Sequence, residues 1–372
     1  MPDWSQFPDP DNVSLTNEDV PDFFKICVIQ GVADAGASFT GGTATRIGSI
    51  FVIFVVSTFV TVLPLLTQRF NWKLSKWFYL FAKFFGAGVI LATAFVHLMD
   101  PAYGEIGGDT CVGMTGNWAS YSWVPALILA SISVTFLTEL FSEVWVERKY
   151  GYVPEEPDVQ KLLTEKINEI NNDNDNAEEN DGAVSDLNKN DEFAVDQKSL
   201  TSELSRYEFK TQFSAFLILE FGVIFHSVII GLNLGSTDYD EFKTLYVVLV
   251  FHQSFEGLGI GARLSAIPWP KDKPEFLKYL LCFAYGIVTP ISIAIGIGVR
   301  TTYASNSFTA NIVSGVLDSL SSGILIYTSL VEFIARDFIF NKEIKTKTTD
   351  LMFSLVSLFL GAGIMALVGK WA

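Results

Sequence analysis

Residues 219–235 read LEFGVIFHSVIIGLNLG and residues 250–266 read VFHQSFEGLGIGARLSA. Both are long apolar runs with no strand-like alternation, and each contains one histidine, His226 or His252. Runs of this length that must satisfy every backbone group internally are membrane-spanning helices. A titratable side chain at mid-bilayer costs roughly 2.5–3.5 kcal/mol on insertion scales, so it faces a protein interior or cavity and has a partner. Glycines follow each histidine, Gly231 and Gly235 in one run and Gly257, Gly259 and Gly261 in the other. At three- to four-residue spacing they allow close helix approach in lipid.

The rest of the chain has the same character. Of its 372 residues 49% are hydrophobic and 14% aromatic, and eight apolar runs can be drawn, near 48–67, 78–100, 122–146, 210–235, 244–265, 278–299, 309–334 and 350–369. The fold class expected is therefore all-α, a polytopic membrane protein built as an eight-transmembrane-helix bundle. The domains expected are an extracellular leader over 1–47, helices 1–3 over 48–146, an acidic disordered cytosolic loop over 147–209, and helices 4–8 over 210–372. That loop is rich in Asp, Glu and Asn and lacks the apolar content needed to offset ordering entropy.

Orientation follows the basic residues rather than the net charge of −16. Arg69, Lys73 and Lys76 follow run one, Arg148 and Lys149 run three, Lys271, Lys273 and Lys278 run five, and Arg336, Lys342, Lys345 and Lys347 run seven. The intervening loops are nearly bare, so both termini are expected outside the cell, which makes the Asn12-Val13-Ser14 sequon usable. Cys27 and Cys111 then share the oxidising side, where they either bridge or remain two thiols, and Cys282 packs within run six. There is no nucleotide-binding glycine loop and no basic stripe for nucleic acid.

All three histidines, His97, His226 and His252, lie in apolar runs. His252 is followed at i+4 by Glu256 and adjoins Gln253, His226 adjoins Ser227, and His97 is followed at i+3 by Asp100. If run four travels outward and run five inward, His226 and His252 each lie about 12–14 Å below the outer boundary and can share one level. Two imidazole nitrogens and one carboxylate oxygen with an open position suit Zn²⁺, and Fe²⁺, Mn²⁺ and Cd²⁺ are alternative ions. His97 with Asp100 either completes this central site or forms an entrance relay. Glu220 and Glu332 are candidates for an exit path toward the cytosol. The chain lacks H-E-x-x-H, so it reads as no enzyme, and the metal is a transported substrate with no resident cofactor.

At these residues the chain resembles the ZIP (Zrt-, Irt-like) family of metal transporters, in particular its fungal plasma-membrane zinc-uptake branch. The resemblance is carried by HLMDPAYGEIGG from His97, CVGMTGNW from Cys111, VWVERKYG from Val144, the two quoted runs, TPISIAIGIG from Thr289 and GAGIMALVGKWA at the end. It implies eight helices, outward termini, a multi-pass plasma-membrane location and metal moved into the cytosol. It also implies a transport site at His226, Ser227, His252, Gln253 and Glu256, with His97 contributed by run two. Two departures stand out. Ile230 occupies a position where some members have a second carboxylate, and Gln253 replaces an acid, which argues against a second tightly held ion. The loop lacks a histidine-rich stretch, although Lys161, Lys166 and Lys189 offer sites to the ubiquitin machinery. The remaining partners expected are the divalent ion and the bilayer, with a homodimer left open.

Overall fold

A computed structural model describes residues 6–8, 13–14, 16–33, 42–70, 75–150, 185–237, 239–270, 272–299, 307–340 and 346–370. Asn12 of the sequon and residues 151–184 of the acidic loop, with Lys161 and Lys166, lie outside them. The elements are α1 Asp22–Ile29, α2 Thr43–Arg69, α3 Ser75–Ala92, a π-helical segment π1 Thr93–Met99, α4 Asp100–Ile106, α5 Trp123–Tyr150, α6 Ser185–Ser236, α7 Tyr239–Ala266, α8 Phe276–Val299, α9 Phe308–Tyr327, π2 Thr328–Phe340 and α10 Thr348–Val368.

Among the described residues, seven helical stretches are long and apolar enough to cross a membrane: Thr43–Arg69, Lys76–Ile106, Trp123–Ser142, Phe209–Ser236, Phe242–Ala266, Phe276–Val299 and Thr348–Val368. The eighth expected run, 309–334, is helical as α9 and π2 but is not among these seven. Its interior face is polar, with Asp318, Ser319, Ser321 and Ser322 all buried. Of the stretch 147–209 drawn for the acidic loop, α5 continues to Tyr150 and α6 begins at Ser185. The loop reading weighed core-forming content, whereas the Glu, Gln, Lys, Leu and Ala of 187–204 are good helix formers without a core.

The chain divides into two compact units. One comprises Thr138–Ser214 and Ile267–Lys273. In it Phe209 and Phe213 stack with ring centroids 5.2 Å apart, and Trp269 meets both edge-on. The other comprises Met1–Leu137, Ala215–Ala266 and Pro274–Ala372 and contains every histidine.

Within this larger unit α2 shows an arrangement opposite to that of a water-soluble helix. Arg46, Ser49, Ser57 and Thr61 are buried at helical spacing, while Phe51, Val55 and Phe59 are 65%, 60% and 60% exposed. An apolar exterior around a small, polar interior is stable where the surroundings are lipid. α2 packs on α7 and α8, α3 on α7 and α10, and α9 on α4 and π1. Glycine makes the closest of these contacts, because a methyl group at Gly261 would lie 2.0 Å from the Thr61 carbonyl oxygen of α2.

Three cross-links fix the unit. Cys27 and Cys111 form a disulfide across 84 residues, so of the two alternatives the bridge is the one present. Arg46 is fully buried, donates to the carbonyls of Leu234, Gly235 and Thr237 at the end of α6, and lies 4.7 Å from the Phe242 ring. There it satisfies carbonyls that the helix leaves without intrahelical partners. Midway along α3, Lys83 pairs with Asp337 of π2 at 2.8 Å; Asp337 also pairs with Arg263 at 3.3 Å, and Arg263 donates to the Glu332 carbonyl.

Candidate metal centre

The three imidazoles converge from three helical segments, π1, α6 and α7. His226 and His252 are both 2% exposed, and their Nε2 atoms lie 3.3 Å apart. Ligand nitrogens at 2.0–2.1 Å from a tetrahedral ion are about 3.3–3.4 Å from one another, so this spacing is the one two zinc-bound imidazoles would have. Glu256, fully buried one turn along α7, places Oε2 3.7 Å from His252 Nε2 and leaves Oε1 without a hydrogen-bond partner. The His97 ring is edge-on to that of His252 with centroids 4.9 Å apart. Of the two roles left open for His97, this position belongs to the central cluster.

In this arrangement no group of three or more His, Cys, Asp or Glu side chains among the described residues already holds the geometry of a closed metal site. The orientation of His97 is one part of this. Its Nε2 lies 3.2 Å from the Met365 carbonyl, which can only accept, so the proton sits on Nε2 and that nitrogen is directed to α10. Ligation by His97 requires its Nδ1 or a ring rotation.

The remaining expected residues divide. Ser227 is buried with its hydroxyl unpartnered, adjacent to His226. Gln253 is engaged elsewhere: its Nε2 donates to Thr289 Oγ1 at 2.6 Å and its Oε1 accepts from the Tyr285 hydroxyl at 2.7 Å. That hydroxyl also lies 3.2 Å from Glu256 Oε2, so Gln253 and Glu256 are held by α8. Asp100 is exposed, whereas His97 is buried. The i+3 argument for this pair assumed α-helical spacing, but the Asp100 amide bonds to the Phe95 carbonyl five residues back, and the π-type bonding turns Asp100 off the face of His97. Glu220 is buried with Oε1 unpartnered, about 9 Å along α6 from His226. Glu332 is paired with Arg336 at 2.9 Å.

One residue next to the cluster was absent from the expected set. Asp318 of α9 is 4% exposed and places Oδ1 4.0 Å from His226 Nδ1. In sequence it is one acid in a serine-rich run 92 positions from His226, and no spacing rule links the two.

The family model described as ZIP zinc transporter matches residues 43–369. The chain is 52% identical to zinc-regulated transporter 1 of Saccharomyces cerevisiae over 100% of this chain and 98% of the relative. It is 36% identical to zinc-regulated transporter 1 of Schizosaccharomyces pombe, covering 89% and 86% of the two chains. It is 31% identical to zinc transporter 3 of Arabidopsis thaliana, again over 89% and 86%.

Proposed function

The chain belongs to the ZIP zinc transporter family, and from that premise we propose that it carries Zn²⁺ across the plasma membrane into the cytosol, with His226, His252 and Glu256 as the transport site. The observation that carries this reading is the buried Nε2 pair at 3.3 Å with the Glu256 carboxylate 3.7 Å from one member, inside a bundle of membrane helices. His97 supplies a third nitrogen through Nδ1, or through Nε2 once the ring turns from the Met365 carbonyl. Ser227 lies beside the site, Gln253 braces Glu256 through Tyr285, and Asp100 acts at the mouth.

In this reading α9 with π2 is the eighth span and both termini face outward, as the distribution of Lys and Arg supports. Hydrated zinc exchanges water for imidazole nitrogens, which offer two neutral donors, and for one carboxylate that supplies charge. A site that strips water yet releases its ion must bind firmly enough to replace water and weakly enough to let go. A ready imidazole pair with a third imidazole not yet turned to the ion fits that requirement. Release proceeds past Glu220, whose unpartnered oxygen is the next acid along α6. Glu332, tied to Arg336, belongs to the ion-paired end of the exit. Fe²⁺, Mn²⁺ and Cd²⁺ compete for the same donors, and the chain performs no covalent chemistry. A homodimer, and ubiquitin-dependent turnover at Lys189, remain part of the proposal.

The test is radiolabelled zinc accumulation in cells lacking their own uptake system. His252→Ala and Glu256→Ala should each abolish accumulation with the protein still at the surface. Near-normal accumulation in either variant refutes the assignment.

A further inference from the structure

We propose that Asp318 is a positioning residue for His226, accepting a hydrogen bond from its Nδ1–H when the ion binds and so keeping Nε2 as the free donor toward the ion. This inference rests on the transport site proposed above.

The argument begins with the ring. For His226 to offer Nε2 toward His252 as a neutral ligand, its one proton must sit on Nδ1, and a buried N–H needs an acceptor. His226 Nδ1 has no hydrogen-bond partner, although the residue is 2% exposed. Asp318 Oδ1 likewise has none, although its side chain is 6% exposed. The unpartnered donor and acceptor face one another across 4.0 Å. That is about 1 Å beyond a charge-assisted N–H···O bond, a gap that a change of side-chain rotamer closes. Metal-bound imidazoles characteristically donate their second ring N–H to a carboxylate, carbonyl or water, which fixes tautomer and orientation.

α9 is anchored so that Asp318 stays in place. One turn after Asp318, the Ser322 hydroxyl donates to the Ala94 carbonyl of π1 at 2.9 Å, in the segment that carries His97. One turn before it, Gly315 seats Ile106 of α4, where a methyl group would come within 2.8 Å of the isoleucine side chain. α9 thereby couples the segment holding His97 to the back of His226, and the acid that lowers this helix's hydropathy acquires a task.

The experiment is zinc uptake kinetics per surface copy. Asp318→Ala should raise KM for Zn²⁺ about 10–100-fold, the usual consequence of removing such a partner, with Vmax retained. Asp318→Asn, which keeps an acceptor oxygen without the charge, should fall between. A purely structural role would lower surface copies and Vmax and leave KM unchanged, which overturns the proposal. Zinc binding to the purified protein separates positioning from direct ligation: Asp318→Ala added to His226→Ala should weaken binding no further than His226→Ala alone. A further loss would make Asp318 a ligand and overturn the positioning role. If the unaltered chain accumulates zinc and Asp318→Ala keeps its KM, only this inference fails; if His252→Ala transports normally, the underlying site fails first.

Discussion

Substituting Gly261 by alanine tests whether the site depends on how closely α2 and α7 approach. The added methyl would lie 2.0 Å from the Thr61 carbonyl oxygen, and real contacts of this kind are not shorter than 3.0 Å, so α7 must retreat by at least 1 Å. A carbonyl of a continuous helix cannot move aside alone. The same helix carries Glu256 and His252, five and nine residues earlier, so the retreat reaches both donors. Metal sites tolerate deviations of about 0.2 Å in ligand distance, and a misplacement of about 1 Å can cost about 100-fold in rate. Zinc uptake per surface copy should therefore fall about 100-fold, although Gly261 touches no ion. Gly48→Ala and Gly298→Ala, where nothing lies within 4 Å, should leave uptake unchanged. Gly257→Ala is the internal check, because its methyl meets the Thr61 side-chain oxygen at 2.5 Å, so Thr61→Ala should restore part of its loss but none of that from Gly261→Ala. Wild-type uptake in Gly261→Ala, or rescue of it by Thr61→Ala, would refute the reasoning.

Asp337→Ala would remove the carboxylate that pairs with two partly buried cations, Lys83 and Arg263, and should destabilise the protein by about 3–5 kcal/mol. A thermal midpoint in detergent equal to that of the unaltered protein would remove the pair from the account. Cys27→Ser should abolish the disulfide that closes 84 residues and cost about 2–5 kcal/mol. The bridge is checked by a shift in electrophoretic mobility on reduction, seen in the unaltered protein and lost in the variant. Arg46→Met removes the donors to three carbonyls at the end of α6. Its loss should appear as faster amide exchange at that helix end, and unchanged exchange there would count against a capping role.

The long apolar runs were legible because lipid imposes a length and a composition that no tertiary detail overrides. The burial of His226, His252 and Glu256 together was legible for a related reason, since a costly polar group in an apolar run has to be compensated. The register around His97 was not legible: nothing in TAFVHLM announces that the helix opens to π-type bonding, and that change removes Asp100 from the cluster. Gln253 was placed at the site by adjacency to His252 and by the family resemblance, and nothing in the sequence told that its amide bonds to Thr289 and Tyr285, residues of another helix. The polar face of α9 was visible as an anomaly in hydropathy without an indication of what it faced.

Taken alone, the order of residues determined which segments enter the membrane, which side chains are costly there, and that imidazole and carboxylate recur at one depth. Those are consequences of local solvation energy and helical rise, and both are properties of single segments. Only the folded arrangement decided which of these groups meet: His226 with His252 and, across 92 residues, with Asp318, while Asp100 lies off the site. Rotation of each helix about its axis is set by packing between segments, by glycine contacts such as Gly261 on Thr61, and that information exists in no segment taken singly.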